Sequence, residues 1–360
     1  MINFTVGPVM SQSEILEIAN ESTPYFRTAE FSKIMFENEE IILGFLNAPP
    51  DSRCVFLTAS GTGAMESCVI NILNKRDKII VINGGAFGQR FVDLCELHKL
   101  DYTQLKCVFG EPLDLAELEK FSGRGYTALL VNMHETSSGI LYDMNAISEF
   151  CKKNNIMLIV DAISAFIADR IDMQKLNASA VITGSQKALA VQPGISIVAL
   201  APDALYRIND NEEKCMYLSL KEALKNMDRG QTPYTPAVTI LLQINKRLRL
   251  IKGSGGIIEE RNKISEMAKY FRENLAEFPL EFVVKNAKDR SNAVTGVRSI
   301  NSKAADIFNT LKNEYGIWIC PNGGLYKDDI FRVGHIGYLS KTDYDKLFEA
   351  FTMLNKSGMM

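Results

Sequence analysis

Short runs of Val, Ile and Leu alternate with stretches of helical spacing through the first two thirds of this chain, and that alternation constrains the fold more than any single motif. The runs are Arg53–Leu57, Lys78–Ile82, Thr127–Val131, Ile156–Val160, Ala180–Thr183 and Ile195–Leu200. Each is short and apolar on successive residues, as a strand buried on both faces must be. Between them, Ala64–Leu73, Ala86–His98 and Met144–Asn154 place apolar residues three and four apart, which gives each helix one apolar stripe. Strand and helix repeated in this way predict an α/β fold on a mostly parallel sheet.

Beyond Thr235-Pro236 the pattern changes. A long helical stretch, Ala237–Ile251, meets the break Gly253-Ser254-Gly255-Gly256, and a second helix runs on to about Phe278. Strand candidates follow at Glu281–Val284, Ala293–Ser299 and Ile330–Val333, with helices near Ala304–Asn313 and Lys341–Leu354. The 360 residues suffice for two cores, so we expect a large unit over residues 1–252, its first 20 residues an arm, and a smaller α+β unit over 253–360.

Composition narrows the function classes. A formal net charge of −3 leaves no electrostatic footprint for nucleic acid. No apolar run approaches the roughly 18 residues of a membrane span, and no basic segment followed by an apolar one marks a signal peptide near Met1. The seven cysteines are scattered without a close pair, against a disulfide framework or a zinc site and in keeping with a reducing, cytoplasmic setting. The three histidines are equally dispersed, and we expect no metal.

Two strand ends carry chemistry. Lys187 follows an apolar strand in Gly184-Ser185-Gln186-Lys187, where a free ammonium is costly to desolvate but an amine that bonds to pyridoxal phosphate is at home. Asp161 closes Ile156–Val160 and suits the protonated ring nitrogen of that cofactor; helix capping is the plainer reading of such an aspartate. Ser60-Gly61-Thr62-Gly63-Ala64 stands between a strand and a helix, where free backbone amides and the helix dipole favour an anion. Arg332, in Phe331-Arg332-Val333-Gly334, offers a planar fork for a carboxylate.

Taken in order with Asn83-Gly84-Gly85-Ala86-Phe87-Gly88-Gln89-Arg90 and His134-Glu135-Thr136-Ser137-Ser138-Gly139, these motifs resemble the class V aminotransferases acting on alanine, serine and glyoxylate, and the related 2-aminoethylphosphonate transaminases. The resemblance runs from Gly7-Pro8 to the last helix. It implies the type I fold of pyridoxal-phosphate enzymes and a homodimer. Phosphate would be held by the backbone of Gly61 and Thr62, by Gln186, and by Thr235 from the partner subunit. Phe87 would stack on the cofactor ring, Thr136 would approach its phenolic oxygen, and Lys187 would be the covalent and acid–base residue. Arg332 would clamp the substrate carboxylate, with Gly7 nearby and Arg27 a candidate for a second anionic group. His134 and Glu135 would shape their loop.

The activity so implied moves an amino group from alanine or serine to glyoxylate or pyruvate by ping-pong exchange. A 2-aminoethylphosphonate–pyruvate transaminase is the alternative. A cysteine desulfurase or lyase is a more distant one, since Gln186 rather than His precedes Lys187 and only Cys320, in Trp318-Ile319-Cys320-Pro321, offers a nucleophilic thiol. A non-catalytic module would have no use for Lys187, Asp161 and Arg332 together.

Overall fold

The computed structural model describes all 360 residues. Seven strands build the large sheet: β1 (Arg53–Leu57), β2 (Lys78–Asn83), β3 (Asp101–Lys106), β4 (Ala128–Asn132), β5 (Met157–Asp161), β6 (Ala178–Gly184) and β7 (Ser196–Leu200). Their spatial order is β1-β7-β6-β5-β4-β2-β3. All pairs are parallel except the two that β7 makes. The connection between β6 and β7 carries no helix, as the usual parallel crossover would, so β7 returns antiparallel to β6 and also runs against β1.

The helices that cover this sheet include α1 (Ala29–Phe45), α2 (Gly61–Ile72), α3 (Ala86–Leu97) and α4 (Met144–Asn154). Helix α1 and the edge strand β3 were not anticipated. In β3, Tyr102, Thr103 and Gln104 are only half-buried, so its sequence lacks the continuous apolar signature of the inner strands.

Helices α5 (Val238–Gly253) and α6 (Gly256–Leu275) meet at Gly255, whose φ of 100° is reached by glycine at little steric cost. A second sheet follows, with β8 (Leu280–Phe282), β9 (Val294–Ser299), β10 (Cys320–Pro321) and β11 (Ile330–Gly334) in the antiparallel order β8-β9-β11-β10. Helices α7 (Ala304–Tyr315) and α8 (Lys341–Lys356) pack with it around a small apolar cluster that is separate from the large-sheet core.

Phe4 is fully buried in that small cluster, and Ile2–Asn3 pairs in parallel with Ile317–Trp318. The first residues therefore pack with the C-terminal third, not with the large sheet that follows them. Parallel strands present their carboxyl ends on one side, where α/β folds bind ligands. Asn132, Asp161 and Gly184 end β4, β5 and β6 there.

Candidate active site

Asp161 is buried and lies beside Asn132 in register. The Asn132 side-chain amide donates to its Oδ2, and the Ile163 amide donates to Oδ1 at 2.8 Å. No cation forms an ion pair with it; burial raises its carboxyl to about 6, and the hydrogen bonds and more distant Lys187 offset only part of that. An acid kept in such a place is stabilised by a positively charged ligand. Asn132 Oδ1, on the same side chain, is a buried acceptor with no donor.

Lys187 sits in the turn that leaves β6. Its Nζ donates to the Val6 carbonyl at 2.6 Å, and desolvation lowers its ammonium to about 8, with Cys320, Arg332, Asp161 and Arg90 acting on it electrostatically. Gly7, at φ 123°, packs on this side chain so closely that a Cβ would lie 2.8 Å from Lys187 Cδ. The N-terminal segment thus closes over the lysine.

Helix α2 begins at Gly61 without a side-chain cap from Ser60, which leaves its first backbone amides free for an anion. A Cβ on Gly61 would collide with Ile163, two residues past Asp161, so this helix start lies against the end of β5. Arg90 donates to Thr62 Oγ1 at 2.9 Å and lies 4.9 Å from the Phe87 ring centre, bringing a cation to the same place. Phe87 starts α3, whose amides at Phe87 and Gly88 donate to Glu135 at 3.2 and 2.9 Å. Glu135 is fully buried and neutralises the positive end of α3, while Ser137 N donates to it at 3.1 Å.

On the other side, Thr136 Oγ1, Ser164 Oγ and His134 Nδ1 form a buried chain with both links at 2.8 Å. Burial, with Lys187, Arg272 and Arg332 adding to it, lowers His134 to about 3 and keeps it neutral. The Thr136 carbonyl accepts from Arg332 Nη1 at 3.2 Å, tying the large sheet to β11. Arg332 is 9% exposed. Its Nη2 donates to the Pro321 carbonyl at 2.9 Å and to Cys320 Sγ at 3.0 Å, and its Nε is buried with no acceptor.

The structure brings Lys187, Asp161, Gly61, Thr62, Phe87, Thr136, Arg332 and Gly7 to one region and sets half-buried Gln186 beside Lys187. Thr235 is exposed. The Arg27 fork donates to Gln231 Oε1, Thr232 O and Pro233 O, each at 2.9 Å, so it staples the loop before Thr235, with one Nη2–H and the Nε–H left for a further acceptor. Asn132, Ser164, Arg90 and the Val6 carbonyl were not singled out from the sequence. Asn132 alone carried a usable signal, as a polar residue ending an apolar run at the same level as Asp161.

Residues 15–324 match the family model of aminotransferase class V. The chain belongs to that family. This aminotransferase is 29% identical over 347 residues to the soluble hydrogenase 42 kDa subunit of Anabaena cylindrica, covering 94% of this chain and 88% of the relative. It is 30% identical over 339 residues to an uncharacterized aminotransferase of Methanocaldococcus jannaschii, covering 92% and 86%. Its fold matches the crystal structure of an alanine–glyoxylate aminotransferase from Nostoc sp. with a TM-score of 0.92 at 22% identity, over 98% of this chain and 95% of that one. The family is pyridoxal-phosphate-dependent. The aminotransferase's own residues fit that cofactor: an unpaired buried acid, a desolvated lysine and a helix start with free amides.

Proposed function

We propose that this aminotransferase moves the amino group of alanine or serine to glyoxylate or pyruvate in a ping-pong cycle. The observation that carries the reading is Arg332, nine-tenths buried with an unmatched Nε–H and within electrostatic reach of Lys187. A buried guanidinium with a spare donor favours a carboxylate-bearing substrate. Bound pyridoxal phosphate supplies the electron sink and carries the amino group between half-reactions. Gly61 and Thr62 amides, Arg90 and Gln186 would hold its phosphate, Phe87 would cover its ring and Asp161 would stabilise charge at its ring nitrogen. Lys187 Nζ, disposed by burial to lose its proton near neutral pH, takes up the donor's α proton and would deliver it to the cofactor's C4′ carbon. Arg332 fixes the carboxylate so that the α C–H bond meets Nζ.

A desulfurase role finds less support, since Cys320 lies in β10, hydrogen-bonded to β11, and its sulfur accepts from Arg332. We propose a homodimer in a reducing compartment. Tyr25, Met216 and Tyr217 are 68%, 75% and 54% exposed. Tyr217 stacks on Tyr234 next to Thr235, and the Tyr234 hydroxyl donates to the Met216 carbonyl, so exposed Met216 and Tyr217 border Thr235 and suit a two-fold interface.

The deciding experiment measures kcat/KM for alanine, serine and 2-aminoethylphosphonate with glyoxylate and with pyruvate, using Lys187→Ala protein as the blank. We expect alanine or serine to lead by at least tenfold. Turnover of 2-aminoethylphosphonate alone would overturn the reading.

A further inference from the structure

The thiol of Cys320 occupies a donor that a substrate carboxylate needs. Arg332 Nη2 donates to two acceptors, the Pro321 carbonyl at 2.9 Å and Cys320 Sγ at 3.0 Å, while Nε is buried and has no acceptor. A carboxylate that binds side-on, at the edge that holds the unmatched Nε–H, takes Nε and Nη2 together. Serving the orphaned Nε in that way means competing for Nη2. Of its two present partners, Pro321 O is backbone fixed in the β10–β11 pairing, whereas the thiol is a weak acceptor on a side chain. Cys320 is only half-buried, and its remaining polar contact is a 3.7 Å approach to the Pro321 carbonyl.

We propose that Cys320 is a placeholder for the substrate carboxylate: it satisfies Arg332 Nη2 in the empty site and is displaced when donor or acceptor binds. The inference rests on the reading of Arg332 as the carboxylate site. Its consequence is a controlled affinity. Every carboxylate that binds must first break the sulfur contact, so donor and acceptor are both held less tightly than a bare fork would hold them, and both products leave more readily. A substituent at Cys320 also bears on both half-reactions at once.

The test measures KM and kcat for alanine and pyruvate in Cys320→Ala and Cys320→Ser enzyme, with the dissociation constant of propionate, an unreactive carboxylate, by titration calorimetry. Removing the placeholder should lower the propionate constant and both KM values roughly two- to tenfold, the range of one hydrogen bond. The serine variant, whose hydroxyl can accept from Nη2, should return them toward wild type. In an Arg332→Leu background, Cys320→Ala should change nothing further, because the sulfur acts only through that fork. Unaltered propionate binding in Cys320→Ala, beside a large loss in Arg332→Leu, would overturn the placeholder alone. An equal effect of Cys320→Ala in both backgrounds would make it a matter of pocket shape and overturn it too. If Arg332→Leu binds propionate as wild type does, the carboxylate reading falls and takes the placeholder with it.

Discussion

Burying Asp161 away from any contacting cation sets function against stability in the cofactor-free chain. Its carboxyl is raised from 3.8 to about 6, so ionising it costs the folded state. Below about pH 4 the acid is neutral in folded and unfolded chains alike and the cost is absent; above pH 6 it is full. At about 1.4 kcal/mol for each pH unit of the gap, the ceiling is about 3 kcal/mol. Asp161→Asn removes the charge, and the Asn132 amide can turn over to present its unmatched Oδ1. The cofactor-free variant is therefore expected to gain about 1–2 kcal/mol in urea unfolding at pH 7.5, shrinking toward zero at pH 4, while the cofactor-loaded variant loses orders of magnitude in kcat. A variant no more stable at pH 7.5 than wild type would contradict this. Asp161 and Lys187 stand out in the sequence because each is a charge at the end of an apolar run, whereas Arg332 stands out only through the resemblance of its motif. The Arg332–Cys320 contact and the Arg27 staple were not legible there, since each pairs residues that only the folded chain brings together.

Among the elements, strands buried on both faces announce themselves and half-exposed ones do not. The apolar runs lie within a residue or two of β1, β2, β4, β5, β6 and β7, while β3 shows too little apolar continuity to be read. The two-residue strand β10 escaped because Pro321, which cannot donate to a ladder, is tolerated there at the sheet edge. The start of α3 was legible as a glycine-rich turn, but its cap was not. Glu135 comes from 47 and 48 residues downstream to receive the Gly88 and Phe87 amides. Replacing it by Gln keeps the shape and removes the charge. We expect Glu135→Gln to destabilise the cofactor-free protein by about 1–2 kcal/mol, the scale of charge-assisted bonds at a helix start. It should also weaken pyridoxal phosphate binding several-fold by loosening Phe87. Unfolding midpoints and cofactor titrations within error of wild type would show that the helix start does not depend on the charge.

For the molecule as a whole, the doubly layered sheet and the second α+β unit were readable from pattern, whereas the assembly rests on surfaces that pattern does not encode. Arg27 donates to three oxygens of the 231–233 loop and lies 4.6 Å from the Phe26 ring centre, so it shapes the proposed subunit surface around Thr235. Arg27→Ala is expected to weaken the dimer at least tenfold by sedimentation velocity while leaving the ratio of alanine to 2-aminoethylphosphonate turnover unaltered. A selective loss of the phosphonate donor would instead assign Arg27 to the substrate site. The N-terminal strand has a consequence of another kind. Ile2–Asn3 pairs with Ile317–Trp318, and Gly334 donates to the Phe4 carbonyl at 2.7 Å. The ribosome therefore makes the first of these partners roughly three hundred residues before the second, and the pairings that anchor the chain just ahead of Val6 cannot form until the last strand has emerged. Synthesis thus carries its own timer: the segment that lies over the amine gains these anchors only after Gly334 has emerged.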